Sequence, residues 1–265
     1  MLITSRSNPL IVAAASLKEK KYREKNGLFL LEGFKLFEEA TKSDMCLTQV
    51  FATEKMYKKC AEAAPNIEIT EVSESVFEKI STEKSPQGVI CVAKYIDKIH
   101  NINKIYNEEE FSESKRRILL LSSLRDPGNL GTVIRSAAAF GCDEIIMSCD
   151  CADIYNPKTV RAAMGTLFRQ KITTVPSLSD TVKAMNEGGY AVYAAVLDEK
   201  AVPLNALKIT EKTAFIIGNE GHGIDEDVIK TASRTVYIPM ANGVESLNAS
   251  AAAAVFMWQS MASTL

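Results

Sequence analysis

The sequence predicts an α/β protein in two parts: a doubly wound, mostly parallel C-terminal sheet preceded by a small N-terminal α/β unit. Three observations carry that prediction. Continuous apolar runs such as ILLL at 118–121 suit strands covered on both faces, as the strands of a parallel sheet are. Through the second half of the chain such runs alternate with helical patterns, the grammar of a doubly wound sheet. From Tyr95 to Arg117 the composition turns to charged and amide side chains, with an acidic run at Glu108 to Glu110, so a solvated linker or exposed helix is expected there. The expected parts are residues 1–95, a linker at 96–117, and 118–265.

Composition narrows the function. The chain has 265 residues, 46% of them apolar, enough for one or two real cores. No stretch approaches the ~20 apolar residues of a membrane helix, and the N-terminus lacks the order of a signal peptide, so a cytosolic protein is expected. The 6 cysteines include no CxxC pair, and the 2 histidines are His100 and His222. Neither zinc nor any other metal has a ligand set here, and reduced thiols are the default. A net charge of −2 leaves any nucleic-acid contact to a local basic patch.

Such a patch opens the chain. Asn8 before Pro9 starts a helix with a small apolar face, and Lys18, Lys20, Lys21, Arg23 and Lys25 follow against only Glu19 and Glu24. Taken alone, that run reads first as a solvated helix end, where cations favour the C-terminal dipole. Then come a strand in GLFLL, a helix from Phe34 to Ala40, a strand from Leu47 to Ala52 and a helix near Lys55 to Ala64. A short strand from Ile67 to Thr70, a helix from Ser73 to Ile80 and a strand from Gly88 to Val92 complete the first part. No catalytic constellation stands out in it.

In the second part strands are expected at 118–121, Glu144 to Met147, Ile172 to Val175, Tyr190 to Val196, Ala214 to Ile217 and Val236 to Ile238. Parallel sheets of this kind bind ligands at the carboxyl ends of their strands, so the loops there are where function belongs. Three of those loops are unusual. One carries Asp126, Pro127, Gly128 and Asn129, with Arg135 in the following helix. The second is GNEGHG at 218–223, which places Glu220 among glycines. The third lies in TVYIPMANGVESLNASAAAAVFMW, where a strand stopped by Pro239 leads through a polar loop to Ser246, Leu247, Asn248 and a run of very small helical residues. Ser and Asn before such a helix read as caps on composition alone. GNEGHG fits neither a dinucleotide fingerprint nor a P-loop, and no Ser/His/Asp set exists.

NLGTVIRSAAAFG, IIGNEGHG and IPMANGVESLNASAAA resemble, in order and spacing, the three motifs of the SpoU (TrmH-type) RNA 2′-O-ribose methyltransferases of the SPOUT class. FLLEGFKLFEEA and SPQGVI in the first part resemble the ribosomal-protein-like substrate-binding domain that many members carry; Lys35 departs from the arginine more usual there. The resemblance implies a trefoil knot in the C-terminal part, a homodimer, and S-adenosyl-L-methionine as cofactor. It implies that Leu197, Gly218, Ile238, Met240 and Leu247 hold the cofactor, and that Ala249, Ser250 and Ala251 are small so that the helix can be drawn close. It implies a catalytic set of Arg135, Asn129, Glu220, Ser246 and Asn248. An ordinary guanidinium stays protonated, so Arg135 reads better as a clamp on phosphate and developing alkoxide than as a base.

The expected function is methylation of a ribose 2′-hydroxyl in structured RNA. Ribosomal RNA is favoured by the extra N-terminal part, with transfer RNA as the alternative. A non-catalytic RNA-binding protein that kept the fold, and a nucleotide-dependent oxidoreductase, are the rivals. Residues 118–265 sum to 12 basic and 15 acidic side chains, whereas residues 1–95 have 14 and 13. RNA capture is therefore expected from Lys18, Lys20, Lys21 and Arg23, with Arg161 beside them. A chain starting near Lys115 is expected to fold alone and bind cofactor, but to lose RNA.

Overall fold

The computed structural model describes residues 2–99, 103–113, 115–198, 200–219, 221–241 and 246–263. They group into two units, residues 1–97 with 153–168, and residues 98–152 with 169–265, each built on its own sheet.

In the first unit β1 (Leu2–Ile3) leads to α1 (Pro9–Ser16), whose start is written locally. The Asn8 side chain accepts the Leu10 N–H at 2.9 Å, and Pro9 sits where no backbone donor is missed. The basic run is not a frayed end of that helix. It forms a separate helix, α2 (Lys20–Asn26), closed by Gly27 at φ 62°. There follow β2 (Leu28–Glu32), α3 (Phe34–Thr41), β3 (Leu47–Ala52), α4 (Glu54–Ala63), β4 (Thr70–Val72), α5 (Glu74–Ile80) and β5 (Val89–Lys94). The strand expected from Ile67 begins only at Thr70, because its partners set the register: β3 reaches Thr70 and Glu71, and β1 reaches Glu71 and Val72. The sheet order is β1-β4-β3-β5-β2, with β5 antiparallel to β2 and β3. Ile11 and Ala14 of α1 and Phe77 and Ile80 of α5 pack with Phe51, Ile90 and Val92 of the sheet.

The second unit opens with the stretch expected to be a solvated linker, and here the structure differs. Tyr106, and Phe111 in α6 (Glu109–Ser112), are buried among Val182, Met185 and Val192. The Tyr106 hydroxyl donates to the Glu144 carboxylate, which is fully buried. Arg116 ion-pairs with the same carboxylate, Lys171 Nζ reaches it at 3.1 Å and the Thr173 hydroxyl at 2.7 Å. A buried charge is tolerable only when so matched, and this one pins the stretch to the sheet.

The chain continues through β6 (Ile118–Leu121), α7 (Pro127–Ala139) and β7 (Glu144–Ser148). It then passes into the first unit, where α8 (Pro157–Ala163) packs on β2. Returning, it forms β8 (Lys171–Val175), α9 (Leu178–Glu187), β9 (Ala191–Ala195), β10 (Val202–Pro203), β11 (Thr213–Ile217), α10 (Glu226–Thr231), β12 (Arg234–Tyr237) and α11 (Ala249–Ala262). The order is β10-β12-β9-β11-β6-β7-β8, and all pairings are parallel. The two-residue β1 and β10 are too short to leave any periodicity. Because the sheet is parallel, the exits of β12, β9, β11 and β6 lie side by side on one edge. Among the described residues no helix is long and apolar enough to cross a membrane.

Candidate active site at the carboxyl edge of the second sheet

A cavity of about 370 Å³ opens where those strands end. Leu197 borders it after β9, Gly218 and Asn219 after β11, and Ile238 and Met240 after β12. Ser246, Leu247 and Asn248 close it on the approach to α11, whose Ala249, Ala252 and Phe256 face inward with Val236 of β12. All five residues expected to hold a cofactor therefore border one space, as do Ser246 and Asn248. Glu220 lies outside the described residues.

Gly218 is required by its neighbours. A Cβ there would stand 2.5 Å from the Gly223 carbonyl oxygen and 2.7 Å from Ile224 Cγ1. The crowding follows from a closed loop: Asn219 N donates to Gly223 O and Gly223 N to Asn219 O, both at 2.9 Å. The Asn219 side chain organises that loop as an Asx turn does, its Oδ1 accepting the Gly221 N–H at 2.7 Å. Its Nδ2 donates to Ser123 O at 2.9 Å, and Ser123 N donates to the Ser148 hydroxyl at 2.9 Å. The exits of β11, β6 and β7 are thus stitched together. Sequence reading passed over Asn219 and Ser123, although an asparagine between glycines is a turn signal.

The two asparagines of the catalytic set meet. Asn248 Nδ2 donates to Asn129 Oδ1 at 3.1 Å, while Asn248 Oδ1 caps α11 by accepting the Ser250 N–H at 2.9 Å, the Ser250 hydroxyl at 2.6 Å and the Ala251 N–H at 3.4 Å. Asn129 is not a cap. That place belongs to Asp126, whose carboxylate accepts the Asn129 N–H at 2.8 Å. Arg135 stands apart: it is exposed on α7, six residues or about 9 Å along the axis from Asn129, and does not border the cavity. Among the described residues no hydrogen bond or ion pair engages it. Ala251 is exposed as well, so the close packing expected of it falls instead to Ala249 and Ala253.

The basic patch is smaller than its sequence. Arg23 is 2% exposed, ion-paired with Asp153 and donating to the carbonyls of Leu17 and Lys18 at 2.8 and 2.7 Å. The Lys18 ammonium donates to the carbonyls of Lys79 and Ser81 at 2.8 and 2.6 Å, and burial pulls its pKa down. Arg23 is thus buried with its partners and Lys18 is half-buried with two carbonyls engaged, so both have structural roles in place of the exposed RNA contacts expected of them. Lys20 and Lys21 remain exposed, Lys20 loosely paired with Glu24 at 3.6 Å. Arg161 pairs with Glu83 and is about half exposed.

Comparison with known proteins agrees with this geometry. Over 97% of both chains the protein is 31% identical to the 23S rRNA (guanosine(2553)-2′-O)-methyltransferase RlmP of Bacillus subtilis (strain 168). The crystal structure of an AdoMet-bound rRNA methyltransferase from Sinorhizobium meliloti superposes with a TM-score of 0.82 at 25% identity, over 100% of this chain and 98% of that one. A solved RNA 2′-O ribose methyltransferase gives 0.84 at 26%, over 100% and 99%. The pattern of an MRM3-like substrate binding domain matches residues 8–91. With the SpoU rRNA Methylase pattern matching residues 116–258, the stretch that supplies every wall of the cavity, the chain belongs to the SpoU rRNA methylase family.

Proposed function

We propose that the protein methylates a ribose 2′-hydroxyl of ribosomal RNA with S-adenosylmethionine, acting in the cytoplasm as a homodimer. The observation that carries this is the cavity at the carboxyl edge, where a glycine wall, three strand exits and a small-residue helix converge beside the Asn129–Asn248 pair. The cavity's size is that of a small-molecule site. Its lining suits a nucleoside: apolar side chains from Leu197, Ile238, Leu247 and Phe256, and backbone that approaches closely because position 218 has no Cβ. Gly218, Ile238, Met240 and Leu247 would hold the adenosyl part. When bound, S-adenosylmethionine supplies an electrophilic methyl group on a positively charged sulfonium.

The chain's own task is the nucleophile. A ribose hydroxyl attacks poorly unless it is oriented and its growing negative charge is met. Asn248, fixed by its capping bonds, and Asn129, whose Oδ1 accepts from Asn248, present neutral groups that orient the ribose, with the exposed Ser246 beside them. Arg135 does not border the cavity of its own chain and would supply the clamp on phosphate and alkoxide within the homodimer. It is exposed on a helix pair whose other exposed residues are largely apolar, Ala139 of α7 with Val255 and Trp258 of α11, the last 52% exposed. That apolar face supports a homodimer, and covering it would strip water from Arg135.

The test is direct. The protein, radiolabelled S-adenosylmethionine and total RNA should give label in ribosomal RNA that survives alkaline hydrolysis as a 2′-O-methyl dinucleotide. Label confined to transfer RNA would move the substrate. Cofactor binding with no label in any RNA would favour the non-catalytic reading.

A further inference from the structure

A polyanion must approach the carboxyl edge of the second sheet, yet five cations of that unit lie at the other end of the strands. Arg116 and Arg117 precede β6, Lys171 opens β8, Lys212 precedes β11 and Arg234 opens β12. Among the described residues, the cations within five positions of the exits of β6, β9, β11 and β12 are Arg125 after β6 and Lys200 after β9.

Arg125 is the better placed of the two, because its backbone is held on both sides. Ser123 sits at φ 56°, a conformation a serine adopts only when its surroundings impose it. Leu124 is fully buried, its N–H donating to Cys151 Sγ at 3.3 Å and its carbonyl accepting the Ala152 N–H at 2.8 Å. Asp126 caps α7. From this fixed stem the Arg125 side chain, 67% exposed, reaches Asp150 at 3.3 Å. Burial works to raise the Asp150 pKa, but hydrogen bonds from Ser123, Ser148 and Arg125 outweigh it and hold the group a carboxylate. An exposed pair of this kind is weak, and the planar fork of a guanidinium fits a phosphate better than a one-point contact uses it.

We infer that Arg125 grips a backbone phosphate of the RNA strand whose ribose enters the cavity, and that Asp150 holds the guanidinium extended over the edge until the RNA takes it. The inference rests on the methyltransferase reading. Arg125 is then a positioning residue: it sets where the strand lies and takes no part in transfer.

The experiment compares the full-length wild-type protein with Arg125→Gln, Arg125→Lys and Asp150→Asn on ribosomal RNA over a range of salt. Arg125→Gln should raise the KM for RNA about tenfold and flatten the salt dependence of binding by a slope of about 0.7–0.9, one phosphate contact, at unchanged cofactor affinity and near-normal kcat. Arg125→Lys should restore the slope but only part of the KM. Asp150→Asn should keep the slope and raise the KM by less than Arg125→Gln does, since the guanidinium remains but is no longer held in place. An Arg125→Gln protein with wild-type KM and slope overturns the inference while leaving the methyltransferase reading intact. So does one with weakened cofactor binding, which would show that the residue only supports the loop, or an Asp150→Asn protein as impaired as Arg125→Gln. Wild-type protein that binds no RNA sinks the functional reading itself, and this inference with it.

Discussion

Gly218 shows how much one missing methyl group decides. Gly218→Ala would push a Cβ against the Gly223 carbonyl and Ile224, and backbone cannot give way as a side-chain tip can, so the Asn219–Gly223 pairing has to open. Cofactor affinity by calorimetry should fall at least about tenfold, in line with the ~1–3 kcal/mol of an overpacked contact. For the same reason Ala252→Leu, which fills the cavity, should abolish binding, while Ala251→Leu on the exposed side should leave it alone. The reverse ranking would mean that the ligand lies elsewhere. Arg135→Ala should lose ~100–1000-fold in methyl transfer with cofactor affinity unchanged, because it does not border the cavity. The motif residues were legible through the family resemblance; of them, Gly218 is demanded by local crowding and Asn248 by the cap of α11. Arg23 and Lys18 were not, because a basic run reads as surface until something shows which of its members turns inward to meet Asp153 or the end of α5.

The elements divide in the same way. Long buried strands of the second sheet announced themselves, since four or five apolar residues in a row have few other places to go. The stretch from 103 to 117 hid, because two aromatic side chains in a polar background do not shift an averaged composition, and Glu144, the buried partner of Tyr106, lies 38 residues further along the chain. Glu144→Ala removes the carboxylate that Tyr106, Arg116, Lys171 and Thr173 converge on, so it should destabilise the protein by about 3 kcal/mol in chemical denaturation; a change below about 0.5 would mean that the stretch is held by its aromatics alone. On α11, Val255 and Trp258 leave an apolar face that the helix does not bury in its own chain. Changing both to Glu should give a monomer by sedimentation equilibrium that still binds cofactor, since neither residue borders the cavity. A variant that stays dimeric would put the interface elsewhere.

At the scale of the whole molecule the chain is interleaved. It crosses between units after residues 97, 152 and 168, so a sequence boundary drawn in one polar stretch captures only the first crossing. The short return of residues 153–168 carries pieces that residues 1–97 lack. Asp153 neutralises the buried Arg23; the Tyr155 ring stacks on Tyr95 at 3.9 Å and packs against Phe29 at 4.7 Å; and its hydroxyl accepts the Ile96 N–H at 2.9 Å. Nothing in the order of residues 1–97 reveals these debts, because the partners arrive 59 residues after Ile96 and 130 after Arg23. A chain starting at Lys115 would suffer the converse loss, being cut from Tyr106 and Phe111. The fragment of residues 1–97 should therefore fail to fold cooperatively, although it holds a complete five-stranded sheet. Leaving a buried guanidinium without its carboxylate costs about 3–5 kcal/mol, a large part of what a domain this small has in hand. Within the intact protein, Asp153→Asn should lower stability by about 3 kcal/mol, the low end of that range because Asp153 is itself 16% exposed. Thermal unfolding followed by circular dichroism checks both. If the fragment melts in one sharp transition near the melting temperature of the intact protein, residues 153–168 only decorate the first unit, and Arg23 has found water or another partner in their absence.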